Sequence, residues 1–158
     1  MKSMVIVYVT LLGIALGVEV AAGAFIAPVI FFPQKYLGEG VLSHFQSGIL
    51  MTQVFFKTNI LLSIVAFYTL FFEISAWVQK KHHDRFSTIC VVGMVVLTGV
   101  FVLYHTPFIV EAQQQGAHAT MSEAFNAIHK QSEWVMKGLM IFQITLLFRR
   151  LWIQIGRA

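Results

Sequence analysis

Apolar residues run along the chain in four long blocks separated by polar connections. The blocks cover about residues 5–32, 55–78, 89–110 and 134–155. Each reaches the roughly 20 residues that an α-helix needs to cross a hydrocarbon core of about 30 Å. The pattern predicts an all-α membrane protein: a single four-transmembrane-helix domain over residues 1–158, folded up-down-up-down.

The connections refine this picture. KKHHDRFS (80–87) is short and basic, so helices two and three form a tight antiparallel hairpin. Residues 33–53 begin with a turn at Pro33, Gly38 and Gly40, after which Leu42, Phe45, Ile49, Met51 and Val54 recur at roughly helical spacing. Residues 111–133 break at Gly116. Thr120 and Glu123 then have capping-box spacing, which starts a helix near Met121, with Phe125, Ile128 and Ser132 on its stripe. A helix from Leu42 to Gln79 would be about 57 Å long. Helices two and four are therefore expected to protrude from the bilayer on one side, while Pro28 and Pro107 are each expected to end a helix.

Composition agrees with a membrane chain. Apolar residues make up 58% of it and charged residues 11%, and the mean hydropathy is +0.76. The N-terminal run resembles a secretory signal, but its apolar part continues past Phe25 and is read as the first span. No basic run with interleaved aromatics suggests nucleic acid. The lone Cys90 excludes a CxxC motif or an internal disulfide.

Charge distribution sets the expected orientation. Lys2, Lys80, Lys81, Arg85, Arg149, Arg150 and Arg157 gather on one side, against Lys35, Lys57, Lys130 and Lys137. Both termini are thus expected in the cytoplasm, in an inner (plasma) membrane, with the protruding ends outside. A weak internal repeat relates Pro28 and Lys57 to Pro107 and Lys137. On helix one, Gly13 and Gly17 form a GxxxG face suited to a homo-oligomer or a membrane-complex partner.

Ionisable residues inside a bilayer are functional candidates. Counting along the helices brings Glu19, Lys57, His105, Glu133 and Lys137 toward the outer half of the bundle. Glu19, Lys57, Glu133 and Lys137 make a candidate polar site, with Glu19 and Lys137 as an expected ion pair. Glu73 stands apart in the inner third, with no cationic partner at its depth and Gln143 or Thr145 as the neighbours that could satisfy it. His44, His105 and His129 form a candidate set for haem b or a transition metal. His82 and His83 are read as solvated loop residues. No P-loop, GxSxG, HExxH or dinucleotide fingerprint is present, and no catalytic residues are assigned. The resulting function classes are a small membrane protein handling an ion, metal or solute, a b-type haem redox protein, and an accessory subunit of a membrane complex.

The segments GAFIAPVIFF, SGILMTQVFFKTN and AFNAIHKQSEWVMKGLMIFQ resemble a bacterial four-helix membrane domain family of unknown function. That family is similar to the transmembrane protein 205-like proteins. The matching positions are Ala27, Pro28 and Phe31, then His129 and Ser132. The resemblance implies an inner-membrane protein, with a hint of metal or solute handling. More remotely, Ala22, Gly23, Phe25 and Pro28 are similar to the first helix of copper-resistance and haem-binding four-helix membrane proteins. The Arg of that motif is absent here, and helix one carries no His.

Overall fold

The computed structural model describes residues 2–80 and 84–156. Lys81, His82, His83 and Arg157, which entered the loop and orientation expectations, lie outside the described residues.

Among the described residues, four helices are long and apolar enough to cross a membrane: Ser3–Phe31, His44–Val78, Arg85–Gln114 and Glu123–Ile155. These are helices one to four below. Helix one packs on two and four, and helix three packs on the same two, which makes a square bundle. Two side chain-to-backbone bonds fix the antiparallel register of helices one and two. Tyr68 Oη donates to Met4 O (3.0 Å) near the chain-terminal end, and Ser47 Oγ donates to Ile30 O (2.7 Å) at the far end.

Each helix has a single inward stripe. On helix one it is Val5, Tyr8, Leu12, Ala15, Glu19 and Ala22; on helix four it is Ser132, Leu139, Gln143, Leu146 and Arg150. Helix three continues the same spacing through Ser87, Val91, Met94, Thr98, Phe101 and His105. Steps of three and four residues are the heptad pattern of left-handed helix packing. Large apolar side chains such as Phe25, Phe67, Leu103 and Phe148 cover the outside, as lipid contact requires. Helices three and four approach closely at Gly93, where a Cβ would stand 2.7 Å from the Phe142 ring.

The helix ends correct several expectations. Helix two starts at His44 rather than Leu42, because Ser43 caps it and exchanges hydrogen bonds with Gln46 in a full capping box. Helix four starts at Glu123, capped by Ser122, whose Oγ accepts from Phe125 N (3.1 Å). Thr120 does not build the expected box with Glu123. It lies in a 3₁₀ turn and donates to Ala117 O instead. Helix three runs past the expected Val110 end to Gln114, so it too is longer than a span needs.

Pro28 and Pro107 do not end their helices. Each follows a π-helical segment, Ala21–Ile26 or Phe101–His105, and sits in the first turn of resumed α-helix. Proline has no N–H and its ring clashes with the carbonyl one turn back. A wider turn just before it relieves both problems without breaking the helix. The separation from Pro28 to the Ser43 cap equals that from Pro107 to the Ser122 cap. The two helical pairs thus share a layout of π turn, proline and serine cap.

Candidate functional site

Near the chain-terminal end, Arg149 and Arg150 leave helix four about 100° apart. Arg150 continues the inward stripe and is buried. Its guanidinium forms an ion pair with the equally buried Glu73 of helix two, and lies over the rings of Tyr8 (5.4 Å) and Phe72 (5.0 Å). Thr88 of helix three donates to the other Glu73 oxygen at 3.2 Å. Glu73 is therefore not without a cationic partner. The expected Gln143 or Thr145 contact is replaced by an arginine whose helical phase turns it inward. Arg149 faces outward and grips Asp84 with two bonds, Nε at 3.1 Å and Nη2 at 2.9 Å. Asp84 also caps helix three, accepting from Ser87 N and Oγ. The Arg149 bonds hold its carboxyl well below the usual carboxylate range; partial burial opposes this, and Ser87 adds to it. All four helices meet in this clasp.

Farther along the bundle, a second set of polar groups is buried without charge pairing. Glu19 Oε1 accepts from Gln143 Nε2 at 3.3 Å. Asn59 Nδ2 donates to Thr106 Oγ1 (2.9 Å), and that hydroxyl donates onward to Phe101 O across the π turn (3.0 Å). His105 Nδ1 lies 3.2 Å from Val100 O. A carbonyl only accepts, so Nδ1 carries a proton, and in the neutral tautomer this leaves Nε2 bare. The Asn59 orientation is fixed similarly: the Thr106 proton is already used, so the amide nitrogen faces it and Oδ1 faces away.

The expected site residues divide into two groups. Glu19 and His105 lie on the inward stripes. Lys57, Glu133, Lys137 and His44 are exposed, and His129 is half-buried. On helix four, Glu133 joins His129 (3.7 Å) and Lys137 (3.6 Å), and Lys137 also sits over the Trp134 ring. Lys137 therefore pairs with Glu133 and not with Glu19. The three candidate histidines have separate aromatic neighbours: Phe31 for His44, Phe101 and Tyr104 for His105, and Phe125 for His129. Among the described residues, no three His, Cys, Asp or Glu side chains come together as metal ligands. Asn59, Thr106 and Arg150 are interior polar groups that the sequence reading did not include in the site. The signal for Arg150 was present, since it continues the Leu139, Gln143, Leu146 stripe.

Four helices able to span a bilayer, with ionisable groups on their inward stripes, define a multi-pass integral membrane protein. A family model described as a domain of unknown function (DUF4149) matches residues 10–118, and the chain belongs to that family. No curated protein and no solved structure matches it.

Proposed function

We propose that the protein holds or passes a small ion or solute through the interior of its bundle, with Glu19 as the central group. The observation that carries this is the burial of Glu19, 6% exposed, with the Gln143 amide as its hydrogen-bond partner and no ion pair among the described residues. A structural acid looks different in this same protein: Glu73 has Arg150 and Thr88. An intramembrane carboxyl without a counter-ion is costly and is kept where a proton or cation completes it. The exposed Glu133, Lys137, His129, Lys57 and His44 then belong to the approach at the far end rather than to the site. We place both termini in the cytoplasm and the chain in an inner membrane, from the lysine and arginine bias. The similarity to transmembrane protein 205-like proteins is in keeping with solute handling.

A second reading, assembly through helix one, is favoured by the exposed Gly13 and Gly17, where an added Cβ would meet nothing within 4 Å. No additional reaction chemistry is assigned.

Flux assays test the main reading. Purified protein in liposomes should carry a proton, cation or solute current above empty liposomes, and Glu19→Gln should abolish it. A wild-type flux equal to that of empty liposomes, or a Glu19→Gln flux equal to wild type, contradicts it.

A further inference from the structure

Outside the Arg150 clasp, four polar atoms inside the bundle are buried without a hydrogen-bond partner among the described residues: Glu19 Oε2, Asn59 Oδ1, His105 Nε2 and Gln143 Oε1. They come from all four helices, and each residue is at least nine-tenths buried. Their chemistry is uniform. The carboxylate and the two amide oxygens accept, and with Nδ1–H turned to Val100 O the neutral tautomer of His105 offers Nε2 as an acceptor too. His129 Nδ1 is also without a partner, but its side chain is 45% exposed and lies outside the interior.

A bare acceptor in hydrocarbon is completed by a hydrogen-bond donor or a positive charge. An anion would meet only repulsion among these four. The single carboxylate sets the charge: one monovalent cation neutralises it. The imidazole nitrogen narrows the class further. Alkali ions favour oxygen ligands, whereas an N–H donor binds imidazole nitrogen and carbonyl oxygen equally well. Helix register relates the heights of these groups. Between the Tyr8–Phe72 contact and the Ser47–Ile30 bond, Glu19 falls level with roughly residues 58 to 61 of helix two, at the height of Asn59. Gln143 lies on the clasp side of Glu19, and Thr106 and His105 lie beside Asn59 on the far side.

We propose that the interior is a site for a hydrogen-donating monovalent cation, ammonium or a primary alkylammonium. Glu19 and Gln143 supply two of its acceptors, and Asn59, level with Glu19, and His105 supply the other two. The inference rests on Glu19 being the working group, and it names the species. The N–H bonds of the cation go to Glu19 Oε2, Gln143 Oε1, Asn59 Oδ1 and His105 Nε2. The π turn before Pro107 acts here through its backbone. It fixes the His105 tautomer and orients Asn59 through Thr106, while the one before Pro28 begins two residues after Glu19.

Thermal unfolding of the purified protein in detergent tests this with chloride salts of ammonium, methylammonium, sodium and potassium at matched ionic strength and pH. Ammonium and methylammonium should raise the midpoint in a saturable way, by several degrees at a large excess over Kd. Sodium and potassium should not. The shift should vanish in the near-isosteric Glu19→Gln and need at least tenfold more ammonium in Asn59→Leu. Because Asn59→Leu can fail to fold, His105→Gln serves as a second variant, with the same expected weakening. Equal stabilisation by sodium or potassium overturns the proposal, as does an ammonium shift unchanged in Glu19→Gln. Glu19-dependent flux without any ammonium effect overturns it too, yet leaves the proposed function standing.

Discussion

Arg150 of helix four and Glu73 of helix two form a buried ion pair, and the guanidinium lies beside the edge-to-face ring pair of Tyr8 and Phe72. Two charges out of water cost several kcal/mol each, so such a pair persists only with close geometry and further polar contacts. Thr88 supplies one of those contacts. The pair therefore fixes which faces of helices two and four meet, and it explains why an acid stands deep in an otherwise apolar helix.

Breaking this pair from one side leaves a charge without its partner. Arg150→Leu is expected to destabilise the protein by about 3–5 kcal/mol, read as a lower unfolding midpoint in detergent. Arg150→Lys should recover only part of the loss, because an ammonium lacks the planar face and forked donors that a guanidinium offers to the rings and the carboxylate. Glu73→Leu combined with Arg150→Leu should be closer to wild type than Arg150→Leu alone. A double variant as unstable as the sum of both singles contradicts the pairing.

The Asp84–Arg149 bridge at the same end sets an acid limit. The folded carboxyl titrates below its unfolded value near 3.9. Its stabilisation is therefore complete above the unfolded value, falls as pH drops through it, and is lost below the folded value. Unfolding midpoints measured between pH 7 and pH 2 should show the wild type losing an increment below about pH 4 that Asp84→Asn never has. Parallel curves for the two proteins contradict the assignment.

Helix one offers a separate test. At Gly13 and Gly17 an added side chain meets open space within the chain. Gly13→Leu and Gly17→Leu should not lower the monomer's stability by more than about 0.5 kcal/mol. If this face joins two copies, the same changes should convert the assembly to monomer in light scattering of detergent complexes. An assembly unchanged by both substitutions removes the GxxxG face from consideration.

The exposed charges should behave differently from the buried ones. Lys57→Ala and Lys137→Ala remove side chains that reach out of the bundle, and stability should change by less than about 0.5 kcal/mol. A loss of several kcal/mol from either would place that lysine in the structural core.

Much of this was legible in the sequence. Four apolar blocks gave the four helices, and counting residues put Glu19 and His105 inside the bundle. Depth alone could not separate Glu133 and Lys137 from Glu19, because membership of a stripe depends on helical phase as well as height. Glu19 falls on the Val5, Tyr8, Leu12, Ala15 series, whereas Glu133 and Lys137 fall between Ser132 and Leu139. Arg150 was hidden by its neighbour Arg149, since two adjacent arginines look like one end-of-helix cluster until their 100° separation is applied. The π turns left no local signature beyond the prolines that follow them. The orientation of Asn59 and the bare Nε2 of His105 depend on contacts with Thr106 and Val100 inside those turns, which no residue spacing reveals.

The central claim is that Glu19 is a working acid and Glu73 a structural one. A hydrophobic carbodiimide adds to a carboxyl that carries a proton, so it separates an acid that exchanges protons or cations from one locked to an arginine. After treatment of the protein in liposomes, peptide mass spectrometry should find the adduct on Glu19, reduced when ammonium is present, and none on Glu73. An adduct on Glu73 with Glu19 unmodified would contradict the account.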